Sequence, residues 1–526
     1  MTKLHLGVTD TPSLKAALSF GFQQSMLCMS SLLVYPFIVA DLACAGSYVV
    51  NLRLQLIAAT FVASGLATII QTTFGLRLSI LNGPAMAFWP PLVAYQQQNI
   101  CPYGIEDDVP LEFWQGRLRE ISGSLMLACT VFVILGVTGL AGIFARLIGP
   151  VTVVPLMLLL TTSIIPTIEE KMALHWISIV TLIVVVTMAI YLENVRIPIP
   201  YYSFEKKSKM VMRVRIFGQF PYLITILFCW FLCFVLTITN IEQPGGNART
   251  DSNTSISVLT QFGSPTLNTG LCLAYLASCL ASVIENIGSY DLLARTSNQR
   301  PPPKDAINRA IIAEGVGSII AGYLGVCAGV TTYAENIALI HITKVASRWV
   351  MQIAGLMLIT MGVLTKMAAL LATIPNALIG GILAMGTSMI GGVALSNLKL
   401  VDLHLTRNLA IMGLSFVIGL VVPTHFELHP VDTGNVNIDN ILNMLLSIRM
   451  LIGGLLATFL DNTVPGATRA QRGFVDLNDK CFDFMDEPDG YALPKFVEKI
   501  LREFPSMQSL PFLPKIENRK IETSSL

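Results

Sequence analysis

The sequence is short of charge. Asp, Glu, Lys and Arg make 13 % of its 526 residues, about half the roughly 25 % of an average soluble domain. A soluble chain of this length needs many charges to cover its surface, so their scarcity argues against a soluble enzyme or a disordered scaffold. Basic and acidic residues nearly balance, 34 against 33, which leaves no cationic excess for nucleic acid. The ten cysteines include no CxxC pair and no Cys/His metal spacing, so no metal site or cofactor is expected. Most lie in apolar runs, for example Cys28, Cys129, Cys229, Cys233, Cys272 and Cys279. They read as small apolar residues packed between helices. HExxH, GxSxG and a hydrolytic His/Asp set are absent, so enzymatic chemistry is not expected. The first 15 residues are polar and mixed, unlike a cleavable signal peptide.

What is abundant is apolar. Hydrophobic residues make 53 % of the chain, and mean hydropathy is +0.66. A membrane-spanning helix needs about 20 largely apolar residues. Stretches 16–40, 54–74, 121–144, 147–168, 173–192, 217–239, 268–293, 348–371, 373–396, 406–423 and 440–460 qualify, and 307–325 is a shorter one. Segments 78–95 and 327–343 are apolar but interrupted. The first contains Asn82, Gly83, Pro84, Pro90 and Pro91; the second contains Gly329, Thr331, Thr332, Glu335 and Asn336. Counting both gives about 14 crossings at that length.

Loop charges set an orientation. With the N-terminus inside, Arg196, Lys206, Lys207, Lys209, Arg213 and Arg215 fall in a cytoplasmic loop, and so do Arg295, Arg300, Lys304 and Arg309. That matches the excess of basic residues in cytoplasmic loops. Glu106, Asp107 and Asp108 fall outside, as does the glycosylation sequon at Asn253. The polar tail from 463 onward falls inside and reads as a partly ordered cytoplasmic extension without a domain of its own.

The two interrupted segments stand third in the first seven spans and third in the second seven. An odd number of spans per half puts the halves in opposite orientation. Matching interrupted segments point to a transporter binding site near the midplane. Unwound backbone is costly in lipid unless protein or a wet cavity surrounds it, and a half-helix starting there offers N–H groups and a positive dipole end. Three carboxylates lie in the second half's spans: Glu285, Glu314 and Glu335. Carboxylates at that depth usually face a cavity or a partner. They accept from ring N–H groups, backbone N–H groups donate to carbonyls, and Tyr333 or Phe88 is placed to stack on a flat ring. The set suits an uncharged planar heterocycle; coordination of a cation is the alternative. Asp461 reads as a helix-end residue.

At these residues the chain resembles the nucleobase–ascorbate transporter family over roughly 16–475. Glu335-Asn336-Ile337-Ala338-Leu339-Ile340-His341-Ile342-Thr343-Lys344 matches the family signature except that Ala338 replaces a glycine. Gln71-Thr72-Thr73-Phe74-Gly75, Pro301-Pro302-Pro303-Lys304-Asp305, Leu395-Ser396-Asn397-Leu398 and Asp461 to Gly466 are also family-like. The resemblance implies an all-α polytopic membrane protein of 14 segments in two inverted seven-span repeats, with segments 3 and 10 broken by short strands. It implies a core domain (16–145 and 267–371) and a gate domain (146–240 and 372–462). Residues 1–15 and 463–526 would be cytoplasmic and 241–266 an extracellular loop. It further implies elevator-like transport, a homodimer formed through the gate and residence in the plasma membrane. Glu285 falls on the substrate-binding glutamate, Glu335 and Asn336 on the signature polar pair, and Ala85, Met86 and Phe88 on the third-segment binding strand.

Ascorbate-type members have Ser-Ser-Pro-Asn where this chain has Tyr333-Ala334-Glu335-Asn336. An aromatic plus a carboxylate suits a nucleobase better than an anion, which a second carboxylate would repel. The reading is therefore a secondary active nucleobase transporter coupled to Na⁺ or H⁺; a sodium-dependent ascorbate transporter, a channel and a ligand sensor are the alternatives. Coupling-ion candidates are Glu314, Gln24 and Ser289. Gln23-Gln24 replaces the frequent Gln-His, and Ser289 replaces an Asp or His.

Overall fold

The structure, a computed structural model, describes residues 4–27, 29–104, 108–203, 208–239, 264–364, 371, 374–474 and 489–514. Cys28, Glu106, Asp107, Lys206, Lys207 and the sequon at Asn253 lie outside the described residues.

In chain order the first elements are α1 (Leu14–Leu27), α2 (Met29–Ala43), α3 (Val49–Thr73), β1 (Asn82–Pro84), α4 (Trp89–Gln98), α5 (Leu111–Thr138), α6 (Leu140–Leu147), α7 (Pro150–Ala173) and α8 (Ile177–Val186). A hairpin follows, β2 (Ile197–Ser203) and β3 (Ser208–Val214), then α9 (Ile216–Gln219) and α10 (Pro221–Ile238). The second half holds α11 (Thr269–Thr296), α12 (Lys304–Tyr323), β4 (Val330–Thr332), α13 (Ala334–Thr343), α14 (Arg348–Val363), α15 (Asn376–Asn397), α16 (Thr406–Leu428), α17 (Val436–Leu446) and α18 (Arg449–Thr463). In the tail lies α19 (Lys495–Glu503). Among the described residues, seven helical stretches are long and apolar enough to cross a membrane.

The helices pack in two groups. In one, α12 lies on α5, α14 on α3, and α1 on α14. In the other, α15, α16 and α18 all pack on α7, and α15 also covers α8. Small residues allow close approach: Gly65 of α3 and Gly355 of α14 face each other, and a methyl on Gly355 would sit 2.9 Å from the Gly65 carbonyl. Lipid gives no hydrophobic drive between helices, so such close packing is what holds them together.

Several elements depart from the apolar pattern. The stretch expected at 121–144 begins at Leu111 and breaks at Gly139, whose φ of +80° is left-handed. That conformation ends a helix and favours glycine. The chain continues as α6. The stretch expected at 440–460 is likewise divided, between α17 and α18. The basic loop after α8 is an antiparallel hairpin with Ile197 opposite Val214 and Ser203 opposite Ser208, so the expectation of an all-α chain with strands only in segments 3 and 10 was too narrow. Pro198 and Pro200 interrupt that strand's donors. Two residues apart, their missing N–H groups fall on one edge, and the other edge stays free to pair.

The cysteine reading also needs correction. Cys44 and Cys101, which follow α2 and α4, form a disulfide with Cα atoms 5.9 Å apart. Their separation of 57 residues hides the pairing from any local motif. Cys129, Cys229, Cys233, Cys279 and Cys327 are buried thiols outside that disulfide, and Cys272 is a half-buried one.

The tail segment 489–514 docks under the first helix group. Arg309 donates to the Tyr491 carbonyl at 3.0 Å, Arg348 to the Gly490 carbonyl at 3.3 Å and Asn308 to the Pro511 carbonyl at 2.8 Å. Arg77 also donates to the Ala492 carbonyl.

Candidate functional site

The two interrupted segments meet. β1 and β4 pair antiparallel, with Asn82 opposite Thr332, Gly83 opposite Thr331 and Pro84 opposite Val330. The pairing answers the problem that breaks these segments. Short strands inside an apolar bundle leave backbone groups without helical partners, and an exposed edge is not tolerated there. The flanking bonds finish the job: Ala85 N–H donates to the Gly329 carbonyl at 2.8 Å and Tyr333 N–H to the Leu81 carbonyl at 3.0 Å. Side chains serve the strands too. Asn82 N–H donates to Thr68 Oγ1 at 3.0 Å and Val330 N–H to Ser318 Oγ at 2.9 Å.

After each strand the chain turns helical. Met86–Phe88 is a short 3-10 turn leading into α4, and α13 begins at Ala334 after Tyr333 in extended conformation. Their first-turn N–H groups lack intrahelical acceptors and carry the positive dipole end.

Carboxylates converge on this pair of strands. Glu285 of α11 is 8 % exposed, and the following Asn286 is fully buried. Asn286 donates to the Glu314 carboxylate and to Ser282 Oγ at 3.3 Å, and accepts from Thr331 Oγ1 at 2.5 Å. Thr332 Oγ1 donates to Glu314 at 3.3 Å. The Tyr290 hydroxyl also bonds Glu314 and accepts from Gln71 at 3.2 Å. One connected network thus joins α3, α11, α12 and β4. In a low-dielectric interior such a network fixes one arrangement when satisfied.

Not every anticipated residue belongs to that network. Asn336 is fully buried and donates to Gln24 Oε1 at 2.9 Å, with Met351 Sδ at 3.7 Å. Gln24 therefore holds Asn336 to α1. The backbone of Glu335 lies in the first turn of α13; its side chain lies outside the described residues. Ala85 is buried and Met86 half-buried; Met86 faces Ile382, Gly386 and Thr387 of α15 across a narrow gap. Phe88 is fully buried, with its ring 6.0 Å from that of Tyr275. Tyr333 packs on Gly83 and directs its hydroxyl to the Pro84 carbonyl at 3.4 Å. Ser289 is 7 % exposed, one turn after Glu285.

Sequence reasoning missed Asn286, Thr331, Thr332 and Tyr290 as functional groups, and it missed Asn82 as well. Asn82 is fully buried, and neither atom of its side-chain amide has a hydrogen-bond partner among the described residues. The Asn336 side-chain oxygen is in the same position. A buried amide left unpaired costs about 1–3 kcal/mol, so each such group calls for a partner.

Gly329 gives this geometry a direct test. A methyl there would stand 2.5 Å from Phe88 Cε2 and 3.0 Å from Cε1. The ring is buried and cannot swing away, so overpacking of about 1–3 kcal/mol follows. Gly329→Ala is expected to lower Tm of the purified protein by several degrees and to weaken transport at limiting substrate. A wild-type Tm together with wild-type uptake would refute this packing.

Known proteins resemble the chain along most of its length. A family model described as "Permease family" matches residues 15–428. Human solute carrier family 23 member 2 is 34 % identical, over 96 % of this chain and 82 % of the human one. Mouse solute carrier family 23 member 1 is 37 % identical, over 89 % and 81 %. Nucleobase-ascorbate transporter 5 of Arabidopsis thaliana is 26 % identical, over 95 % of each. In fold, the chain is similar to SLC26A9, with a TM-score of 0.53 at 10 % identity, covering 77 % of this chain and 62 % of that one. The chain therefore belongs to the permease family that includes solute carrier family 23, the nucleobase–ascorbate transporters, and is a multi-pass membrane transporter rather than an enzyme.

Proposed function

We propose that the protein carries an uncharged nucleobase, of uracil or purine type, as a secondary active transporter. The supporting observation is the buried polar centre where β1 meets β4. It offers the Glu285 carboxylate, 8 % exposed, unpaired amide atoms on Asn82 and Asn336, and the N-terminal turn of α13. Carboxylates and amide oxygens accept ring N–H groups, and the Asn82 amide N–H and backbone N–H groups answer ring carbonyls. An anion such as ascorbate would meet the negative charge of the Glu285 carboxylate in a medium that screens it poorly. Uptake of uracil, xanthine, hypoxanthine and ascorbate by cells expressing the protein, with and without a Na⁺ gradient, tests the reading. Saturable nucleobase uptake that ascorbate does not compete for is the expected result. Uptake of ascorbate alone would overturn it.

The architecture that goes with this reading has 14 spans in two inverted repeats. The core comprises 16–145 and 267–371, the gate 146–240 and 372–462, and the core carries substrate past a dimerising gate. The two packing groups support that division, since α3, α5, α12 and α14 associate apart from α7, α8, α15, α16 and α18. Between the groups, α11 packs on α7, α17 and α18, and α15 packs on α2; an ion-pair cluster lies at the end of α2. Lys171 of α7 pairs with Asp41 of α2 at 2.7 Å, and Arg53 of α3 joins the same carboxylate at 2.8 Å. Trp89 donates to Thr167 of α7 at 2.8 Å. With both termini cytoplasmic, these contacts close the outer side, the posture of an inward-facing carrier. Coupling to Na⁺ or H⁺ would involve Glu314 and Ser289, with Gln24 positioning Asn336. The plasma membrane is the expected location.

Sidedness has its own test. In this topology Cys44 and Cys101 face the exterior, where disulfides persist. An impermeant reductant followed by an impermeant maleimide is expected to label intact cells, and the double variant Cys44→Ser/Cys101→Ser is expected to lose that signal. Labelling that requires permeabilised cells would invert the topology.

A further inference from the structure

A second cavity lies between the two helix groups, away from the paired strands. It measures about 360 Å³ and is lined by Arg146, Arg300, Lys304, Arg469, Asp291 and Asn397, among others. Two stretches that the sequence marks as family-like, Pro301-Pro302-Pro303-Lys304 and Asn397, reach it, although the substrate site uses neither.

The charge inside is unbalanced. Four cationic side chains stand against one carboxylate, and that carboxylate, Asp291, is held by Arg295 at 2.6 Å. Arg300 pairs with Asp489 at 3.0 Å, with both side chains nearly half exposed; such a pair is worth little and can be exchanged. Arg469 stacks on the Phe474 ring with its guanidinium carbon 4.4 Å from the centroid, which fixes the cation without neutralising it.

Backbone adds to the positive field. The cavity wall includes Gly149 and Pro150 at the start of α7, and Pro303 and Lys304 at the start of α12. These helices have 24 and 20 residues. Both present their N-terminal turns to the same space, where phosphate is favoured. A third feature is independent of charge. Asn397 is 6 % exposed, and its amide nitrogen reaches only the thioether of Met157, at 3.9 Å, among the described residues. A buried amide with so weak an acceptor has donor capacity left for a ligand. The rest of the wall is apolar, with Ile148, Val153, Ile287, Leu400 and Phe474.

We propose that this cavity binds a phosphomonoester anion, its phosphate held by Lys304, Arg146, Arg300 and Arg469 and its organic part against the apolar wall. A halide would leave most of the volume empty. A carboxylate would bring one charge to four cations. A dianionic phosphate with an organic body fits both the charge and the volume, and the planar guanidinium forks suit its oxygens. The chemistry is shared by a soluble phosphate ester and by a phosphoinositide headgroup. Because α11 and α12 form one wall and α7, α15 and Gly473–Phe474 the other, a bound ligand ties the two helix groups together and slows transport.

The test uses the full-length protein in lipid nanodiscs with both faces accessible, so it depends neither on the transported substrate nor on sidedness. Thermal unfolding and equilibrium binding are measured with uridine 5′-monophosphate against uridine, with inorganic phosphate, and in discs containing phosphatidylinositol 4-phosphate against phosphatidylinositol. A saturable rise in Tm with a phosphorylated probe, absent for its unphosphorylated counterpart, is expected in one arm. The responding arm identifies the source. Lys304→Gln/Arg146→Gln should weaken that response about tenfold or more, as the loss of two charge-assisted bonds requires. Arg469→Gln, an exposed side chain, supplies a second variant in case the double one folds poorly. No response to any phosphorylated probe overturns the proposal. So does a response that survives both variants, or a rise in substrate KM in the variants without added phosphate, which would make the cavity only part of the substrate's route.

Discussion

Glu285→Gln is expected to abolish nucleobase uptake while surface abundance stays at the wild-type level. Glu285 is 8 % exposed on α11, next to Asn286, whose amide binds Glu314 in the network that also takes in Thr332. A carboxylate accepts two N–H groups of a ring; glutamine keeps one acceptor and turns N–H toward N–H. Hydrogen bonds to a charged group contribute about 1.5–3 kcal/mol each. Losing one and opposing another lowers uptake at limiting substrate about 100-fold or more, at about 1.4 kcal/mol per tenfold. The isosteric change keeps volume and shape, so folding is spared. Glu314→Gln should behave differently. Glu314 is fully buried and takes hydrogen bonds from Asn286, Thr332 and Tyr290. Replacing one of its acceptors by a donor sets donor against donor in the interior, and the readout is a lower Tm and less surface protein. Cell-surface biotinylation beside initial-rate uptake separates the two outcomes. Normal uptake by Glu285→Gln would remove the substrate from this site.

Residues differ in how far their roles could be read from the chain alone, and the reasons are physical. Glu285, Glu314 and Glu335 stand out because a carboxylate in an apolar run is rare and costly. The strands at Asn82–Pro84 and Val330–Thr332 coincide with the interruptions because Gly, Pro and Thr are what break an otherwise continuous apolar helix. Asn286, Thr331 and Thr332 gave no comparable signal. Neutral polar residues are common in spans, where Ser and Thr bond back to their own helix, as Thr225 does to Pro221 and Thr138 to Ile134. Which of them turn outward to a carboxylate depends on what packs opposite. Asn82 was visible only as a helix breaker; its unpaired amide exists because β1 and β4 occupy its surroundings without offering it a partner. The Cys44–Cys101 bridge was illegible for a related reason. It joins the ends of α2 and α4, and only the folded position of those ends brings the sulfurs together.

Asp461→Ala is expected to remove most of the protein from the cell surface. The sequence offers only a helix-end aspartate followed by Asn462, Thr463, Val464, Pro465 and Gly466. In the fold its side chain is fully buried and bridges two arginines, Arg407 of α16 at 3.0 Å and Arg472 at 2.7 Å. Those guanidiniums are themselves only 9 % and 14 % exposed. Arg407 also donates to the carbonyls of Val464 and Asp461, at 2.9 and 2.5 Å. The cluster therefore ties the end of α18 to the start of α16 and to the chain beyond it, where α16 and α18 both pack on α7. The energetic sign depends on what is removed. Replacing all three groups by well-packed apolar ones could leave stability unchanged, because burying charge is itself costly. Removing the carboxylate alone leaves two desolvated cations facing each other, a loss of about 3–5 kcal/mol. Whole domains are stable by only about 5–15 kcal/mol, so that loss consumes a large share of the margin. Asp461→Asn keeps the shape and two polar atoms but not the charge, and should fall between alanine and wild type. Arg472→Met in the Asp461→Asn background removes one of the two stranded cations and should recover part of the lost Tm. Surface biotinylation and unfolding of the purified protein measure both effects. Wild-type Tm in Asp461→Ala would show that the cluster contributes nothing net, and recovery by Arg472→Met would tie the loss to stranded positive charge rather than to a missing helix cap.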